Sequence, residues 1–262
     1  MKRTLKITVL VIVLILLFIA MGLCGYLLYQ ESQKPDVMDQ YDYEEIQTLV
    51  ETAPAQNEEA KEINAPVVQY DPDALKATNN DFLGWLYIPD SYINLPVTTG
   101  SDNDWYLDHS FTREYSVFGC PFLDVNTPVG SRNRVVHGHN MGSKRTEMFS
   151  RLLDYQDSEY AKAHKTLYFS EPDREGEEYE IFAVLNFDLS LLDECNYIQA
   201  DFDTEEDFSA FISYLKNKSL YETSFTPEGE TLILSTCNRS FGEDNRLLIC
   251  AGKLHANDPS EH

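Results

Sequence analysis

Short strand-like runs separated by turn-forming residues recur along the chain from residue 84 to residue 251. They are rich in β-branched, aromatic and aliphatic residues, and they occupy residues 84–88, 92–98, 120–124, 134–137, 166–169, 179–185, 231–235 and 247–251. Many short strands at such spacing favour a sheet that closes on itself, because closure leaves no unpaired edge strand. The sequence therefore predicts a mainly β fold with added helices, built on a closed β-barrel of about eight strands.

Helical patterns interrupt the strand pattern. The clearest covers residues 204–220, where large apolar residues recur at helical intervals beneath a charged face and Thr204 stands at the N-cap position. The apolar residues of this pattern are Phe208, Phe211, Ile212 and Leu215. Shorter helices are predicted at residues 43–51, 73–79, 147–153 and 158–163.

An almost unbroken apolar run at residues 7–28 follows a basic N-terminus. The run is long enough to cross a bilayer as a helix, and the basic residues before it place the N-terminus in the cytoplasm. Residues 1–30 are therefore predicted to be a cytoplasmic N-terminus and a single-pass anchor in the cell membrane, with the rest of the chain extracellular. A cleaved signal peptide is the less favoured alternative, because no small-residue cleavage site follows the run. Lipidation of Cys24 is disfavoured, since the residues before it fit a lipoprotein processing site poorly.

The segment at residues 31–73 is acidic, polar and proline-containing. Such a composition cannot bury enough apolar surface to offset the entropy of ordering, so we interpret the segment as an extracytoplasmic spacer. The folded domain is predicted at residues 74–255, followed by a tail at 256–262. The formal net charge of −24 argues against binding of nucleic acid or of an anionic lipid surface.

Two predicted strands place a thiol and a guanidinium at neighbouring ends. The run 231–236 leads into Cys237, and Arg246 opens the next apolar run after a polar connection. A permanent positive charge beside a cysteine lowers the pKa of the thiol and favours the nucleophilic thiolate. Two alternatives remain: Cys237 could be an inert core residue, and Arg239 is nearer to it in sequence than Arg246 is.

A histidine that could activate the thiol follows another predicted strand. Residues 134–137 lead into a Gly-His-Asn sequence at 138–140, and a cysteine and a histidine that are distant in sequence commonly form an activated nucleophile. His137 and His139 could instead share a strand face and bind a metal, but no third ligand stands at a recognisable spacing. The interpretation therefore includes neither a metal nor another cofactor.

Three sequence elements together resemble a known family: Leu-Ser-Thr-Cys at 234–237, Gly-His-Asn at 138–140, and Arg246. They are similar to the motifs of the sortases, the cysteine transpeptidases of Gram-positive cell surfaces. The resemblance runs from about residue 79 to residue 253 and is closest to the class B branch. It also includes the blocks at 102–107, 119–124, 148–149 and 196–198, and a helix-like insert before the cysteine strand.

The resemblance implies a reaction and a set of site residues. Cys237 would attack the carbonyl of a Thr in a C-terminal sorting motif of a secreted protein, His139 would serve as general acid and base, and Arg246 would stabilise the oxyanion. The acceptor would be an amino group of cell-wall peptidoglycan. The sorting peptide would be held by Asn103, Leu107, Tyr197, Ile198 and Ser235, of which Leu107 and Ile198 could equally be core residues.

Other functions remain open from the sequence. A pilus-subunit polymerase of the same class would use the same residues, and a surface-binding module without catalytic activity would keep the barrel. The role of His137 is also open, because class B relatives commonly carry an aromatic residue at that position. The remaining barrel cysteines, Cys120, Cys195 and Cys250, show no disulfide framework and are predicted to be reduced core residues.

Overall fold

The strands of the described chain close into one barrel, in the order β1-β2-β3-β4-β7-β8-β6-β5. The protein is represented by a computed structural model that describes residues 16–26, 70–172 and 174–254. The strands are Phe82–Tyr87 (β1), Asn94–Thr99 (β2), Phe122–Leu123 (β3), Asn133–His137 (β4), Thr166–Glu171 (β5), Arg174–Asp188 (β6), Thr231–Cys237 (β7) and Asn245–Lys253 (β8). Every run predicted as a strand therefore contributes to a strand, and the predicted barrel is confirmed.

The strands β4, β7 and β8 bring three chain segments to one edge of the barrel. β4 and β7 are parallel, so both end at this edge, and β8 is antiparallel to β7 and begins there. His137 lies beside Ser235 in the register, and Cys237 lies opposite Arg246. The strand register alone therefore brings His137, Ser235, Cys237 and Arg246 close together.

Four α-helices lie in the described ranges: residues 16–26 (α1), Pro72–Thr78 (α2), Ser158–Ala163 (α3) and Glu205–Lys218 (α4). The start of α4 is fixed as predicted, because the Thr204 side chain accepts a hydrogen bond from the Asp207 backbone N–H at 3.1 Å. The α-helix predicted at 147–153 is wrong, since Ser150–Gln156 forms a 3-10 helix. Met148 has a φ of 50° and bridges to Asn140, so no helix can pass through it.

The helix α4 covers one part of the outer face of the barrel. Its apolar side chains pack against Val135 of β4 and Ile233 of β7, together with residues of β6 and β8. A second apolar cluster lies elsewhere and includes Phe122 of β3 and Tyr106 of the connection between β2 and β3. The first cluster thus includes Val135, two residues before His137 on β4, and the second includes Phe122, which pairs with His137.

A buried ion pair occupies the other end of β4. Arg134 is 1 % exposed; it donates to the Glu171 carboxylate at 2.9 Å and to the Tyr179 hydroxyl at 2.8 Å. Burial alone would lower the pKa of Arg134, but Tyr179 and Glu171 outweigh this effect and raise it. The charge is therefore held in place by partners that have also lost their water.

Parts of the predicted N-terminal organisation lie outside the described residues. Of the predicted membrane segment at 7–28, residues 16–26 are described and are helical, with exposed apolar side chains. No helix within 16–26, 70–172 and 174–254 combines the length and apolarity needed to span a bilayer. The short helix at 43–51, most of the spacer and the tail at 256–262 fall outside these ranges, so these assignments and the domain boundaries stay predictions.

Candidate active site

Cys237 is the last residue of β7 and stands directly opposite Arg246 on β8. Residues that face each other in an antiparallel pair have Cα atoms about 5 Å apart and point to the same face of the sheet. The next backbone hydrogen bond, from the Asn238 N–H to the Asn245 carbonyl at 2.9 Å, extends this pairing beyond the strand end. The rival Arg239 lies in an exposed 3-10 turn after the strand. The structure thus supports Arg246 as the neighbour of the thiol.

Cys237 differs in its surroundings from the other barrel cysteines. It is partly exposed, whereas Cys120, Cys195 and Cys250 are buried, and none of them forms a disulfide. Burial raises the pKa of the Cys120 thiol to about 12 and that of Cys195 to about 11, and it raises the pKa of Cys250 well above its ordinary value. Buried thiols of this kind stay protonated and inert, so Cys237 is the cysteine of the barrel that a substrate can reach.

The segment that carries His139 is tied to the end of β7 by three hydrogen bonds. The Gly138 N–H donates to the Ser235 carbonyl at 3.2 Å, and the Thr236 hydroxyl donates to the Gly138 carbonyl at 2.7 Å. The Asn140 side-chain amide donates to the Cys237 carbonyl at 2.8 Å. The histidine loop and the cysteine strand therefore move as one body.

Gly138 allows this loop to lie against the barrel. A Cβ atom at this position would come within 2.6 Å of the Phe149 ring, a distance that real Cβ contacts do not reach. Phe149 is itself held from the other side, because its N–H donates to the His139 carbonyl at 2.9 Å. The glycine of the Gly-His-Asn motif is thus required by packing beneath the imidazole.

One ring nitrogen of His139 is assigned as a hydrogen-bond donor by its partner. Its Nε2 atom lies 2.7 Å from the Leu107 backbone carbonyl, which can only accept a hydrogen bond. We therefore assign a hydrogen to Nε2, and Nδ1 has no hydrogen-bond partner among the described residues. Leu107 fixes the orientation of the ring through its backbone, whichever side chain it carries.

The three side chains converge on one end of the barrel without direct contact. Arg246 donates through Nη1 to the Glu243 carbonyl at 3.0 Å and to the Asn245 carbonyl at 3.2 Å. Within the described ranges, neither this guanidinium nor the His139 ring hydrogen-bonds the sulfur of Cys237. Catalytic hydrogen bonds are often long before substrate binds, so the lack of these two contacts does not argue against a shared site. A thiol, an imidazole and a guanidinium at one end of the barrel can support acyl transfer through a thioester.

A family model described as the sortase domain matches residues 86–254 of the chain, which include the whole site. The chain is a sortase. It is 30% identical to the sortase B of Listeria monocytogenes over 83% of this chain and 88% of that protein. It is 26% identical to the sortase B of Staphylococcus aureus over 97% of this chain and 98% of that protein. These relatives place it in class B, and the sortase is therefore a cysteine transpeptidase.

A solved structure shows the same fold. The Staphylococcus aureus sortase B–substrate complex superimposes with a TM-score of 0.63 at 25% identity, over 71% of this chain and 85% of that chain. The predicted fold class and the predicted enzyme class are thus both confirmed for the barrel.

Two of the predicted peptide-binding residues of the sortase lie in the connection between β2 and β3. Leu107 is 38% exposed, so its side chain is open to a ligand rather than part of the core. Asn103 is engaged within the protein, because its side-chain oxygen accepts a hydrogen bond from the Val125 N–H at 2.9 Å. The structure therefore favours Leu107 as a contact surface and Asn103 as a brace of the loop after β3.

The other three predicted peptide-binding residues are buried or partly buried. Tyr197 is 3% exposed and Ser235 is 1% exposed, and their hydroxyl oxygens lie 3.5 Å apart; Ile198 is partly buried against the same apolar cluster. Burial raises the pKa of Tyr197, on which the charges of Arg246 and Asp124 also act. The Tyr197 hydroxyl therefore lies within electrostatic range of both charged groups.

The sequence did not identify the partner of His137. Its Nε2 atom lies 2.7 Å from the Asp124 carboxylate, and the Asp124 side chain is 3% exposed. Burial would raise the pKa of Asp124, but the hydrogen bonds from His137 and Asn126 outweigh it and hold the pKa at about 2. Asn103 also donates to this carboxylate. Across the described ranges, no group of three or more His, Cys, Asp or Glu residues is placed to hold a metal ion.

Proposed function

We propose that this sortase cleaves a C-terminal sorting motif of secreted proteins after a Thr and transfers them to an amino group of cell-wall peptidoglycan. The observation that carries the proposal is the register pair of Cys237 and Arg246, with the His139 loop hydrogen-bonded to the same strand. The Staphylococcus aureus sortase B has been solved with a substrate, and its structure matches 71% of this chain.

In the first half of the reaction, the sulfur of Cys237 forms a bond to the carbonyl carbon of the Thr. The tetrahedral intermediate then collapses with cleavage of the C–N bond, and the leaving amine takes a proton from His139. In the second half, an acceptor amine attacks the thioester, gives a proton to His139 and displaces the sulfur. One amide bond is broken and one is formed, so no oxidant or cofactor is needed.

Two side chains supply the charge that this sequence of steps requires. Because Nε2 of His139 is committed to the Leu107 carbonyl, the transferred proton would be carried on Nδ1. Arg246 would turn from the carbonyls of its own loop toward the oxyanion, since a guanidinium offers several donors in a fixed plane. We assign His139 the role of acid and base and Arg246 that of oxyanion donor.

We further propose that the sortase is held in the cell membrane by its N-terminal segment, with the barrel outside the cell. Support comes from the apolar run at 7–28, its basic flank, and the exposed apolar side chains of α1. The acidic spacer would then hold the barrel away from the lipid. Protease added outside intact cells should remove the barrel and leave the N-terminus protected; full protection of the barrel would contradict this orientation.

The test of the activity uses the purified full-length chain in detergent and a library of fluorogenic peptides that contain an internal Thr. We expect cleavage after the Thr, a thioester adduct at Cys237 detected by mass spectrometry, and an amide product when an amine acceptor is added. Cys237→Ala should abolish both turnover and adduct. Equal turnover by this variant would refute the assignment, and hydrolysis alone in the presence of acceptor amines would indicate a protease.

Cys24→Ala is the matched control for the thiol substitution. Cys24 is also free and exposed, but it belongs to α1 and not to the barrel. The control should therefore retain full turnover. Loss of activity in this variant as well would show that thiol removal acts through the folding or solubility of the chain.

A further inference from the structure

Asn140 follows His139 directly, and its side-chain amide bonds two backbone groups. Its Nδ2 atom donates to the Cys237 carbonyl at 2.8 Å, and its Oδ1 atom accepts from the Gly142 N–H at 2.8 Å. A carbonyl can only accept and a backbone N–H can only donate, so the orientation of the amide is unambiguous. A single side chain therefore links the histidine loop to the backbone of the nucleophile.

The bond to Cys237 continues the hydrogen-bond ladder between β4 and β7 beyond the end of β4. β4 ends at His137, which pairs with Ser235, and the Ser235 carbonyl then accepts from the Gly138 N–H at 3.2 Å. Because the backbone groups of alternate residues point to the same side of a strand, the Cys237 carbonyl also points toward the β4 side, where β4 has no further residue. The Asn140 amide takes the place of the missing strand partner.

Other contacts hold His139 but do not reach the residue that carries the thiol. The imidazole bonds the Leu107 carbonyl at 2.7 Å, and the His139 carbonyl accepts from the Phe149 N–H at 2.9 Å. The bond from Asn140 is different, because its acceptor belongs to Cys237 itself. It therefore fixes the backbone of the histidine loop relative to the backbone of the nucleophile.

We propose that Asn140 is a positioning residue, whose amide holds His139 in the place from which it exchanges protons with the amines of the reaction. The inference rests on the proposed function, because it assumes that the leaving amine and the acceptor amine both react at Cys237. Asn140 needs no contact with the peptide, since its amide oxygen and nitrogen are already engaged within the protein. Its contribution is to the geometry of the chemical step and not to binding.

This role predicts a loss in kcat with little change in KM when the link is removed. Misplacing a catalytic group by about 1 Å can lower the rate by about a hundredfold, while the side chains that bind the peptide are untouched. Both halves of the reaction use the same imidazole, so the rate of thioester formation and the rate of its aminolysis should fall by a similar factor. A residue that shapes only the peptide site would change KM or the first half alone.

Two variants of the full-length sortase separate the two bonds of Asn140. In Asn140→Asp the carboxylate can still accept from the Gly142 N–H but cannot donate to the Cys237 carbonyl, so only the link to the nucleophile is lost. In Asn140→Leu, where the side chain has a similar size, both bonds are lost. We expect kcat for a cleaved Thr peptide to fall by about tenfold to a hundredfold in both variants, with KM within about twofold of that of the unchanged protein.

Ser143→Asp is the control for the charge that Asn140→Asp introduces. Ser143 is exposed in the same loop, and its backbone carbonyl, which the substitution retains, accepts from Arg151. This variant should keep kcat within about threefold. Asn217→Leu, at an exposed position of α4, is the control for loss of an amide and should leave both halves of the reaction unchanged. Circular dichroism at the assay temperature checks that each variant is folded, and Asn140→Asp keeps the bond to Gly142 should Asn140→Leu fail to fold.

The outcomes separate this inference from the proposed function. If the sortase cleaves a Thr peptide and Asn140→Asp keeps kcat within about threefold, the positioning role is refuted and the proposed reaction stands. A rise in KM at constant kcat, or a fall in thioester formation alone, would also refute it. So would an equal fall in Ser143→Asp with Asn140→Leu unaffected, because the loss would then be due to charge. If no Thr peptide is cleaved and no thioester forms at Cys237, the proposed function itself fails.

Discussion

Replacing Asp124 with Asn should cost the barrel about 2 kcal/mol of unfolding free energy at neutral pH. The fold holds the pKa of this carboxyl at about 2, against an ordinary value of 3.8. Since one pKa unit corresponds to about 1.4 kcal/mol, the folded state favours ionised Asp124 by about 2 kcal/mol over the unfolded state. The side chain is only 3% exposed, so water screens this interaction little.

The sign of the effect predicts a pH dependence. Because the folded pKa lies below the unfolded one, the stabilisation is fully present above about pH 4 and is lost as the pH falls toward about 2. The measurement is urea unfolding of the full-length chain and of Asp124→Asn, followed by tryptophan fluorescence at several pH values between 7 and 2.5. The difference in unfolding free energy between the two proteins should shrink steadily below pH 4.

A constant difference across this pH range would refute the reasoning, because it would mean that shape rather than charge stabilises position 124. A difference below about 0.5 kcal/mol at pH 7 would also refute it, since changes at surface positions are usually no larger. Asp193→Asn removes an exposed carboxylate and is the matched control. It should leave the unfolding free energy unchanged at every pH.

Three further substitutions test other parts of the structure. Arg246→Lys keeps the charge but loses the planar donors, so kcat/KM for a cleaved peptide should fall by about a hundredfold with an unchanged thermal midpoint. Gly138→Ala forces a contact with Phe149 and should cost about 1–3 kcal/mol in urea unfolding, relieved by Phe149→Leu; no relief would contradict the packing argument. Arg134→Met leaves Glu171 without its buried partner and should cost about 3–5 kcal/mol, and a neutral result would show that water reaches the pair.

The strands could be predicted because β-branched and apolar runs mark the parts of a barrel that are covered on at least one face. Their ends were less predictable. β6 begins at Arg174, before the apolar part of its run, because Glu177 and Glu178 continue the backbone ladder with β5 without burying apolar surface. β3 is shorter than its apolar run, since Phe122 and Leu123 alone form strand pairs there.

In the candidate site, contacts between strands joined by a short connection could be predicted, whereas contacts that depend on strand register could not. Cys237 and Arg246 could be predicted as neighbours because a short connection joins their strands and a hairpin brings its two ends together. The partnership of Asp124 and His137 could not, because it depends on the register of β3 against β4, and a single-residue slip would separate the two side chains. The bond from Asn140 to the Cys237 carbonyl likewise depends on the parallel pairing of β4 and β7.

The seven residues of β7 determine on which face of the sheet the side chain of Cys237 lies. Inserting or deleting one residue after position 231 would rotate the sulfur by half a turn, from the cleft into the closed interior, where solvent and peptides cannot follow. The length of the loops before and after β7 does not set the direction of its side chains, so these loops can lengthen without moving the thiol. In this enzyme, the number of residues in β7 therefore determines whether the thiol of Cys237 is accessible to a substrate.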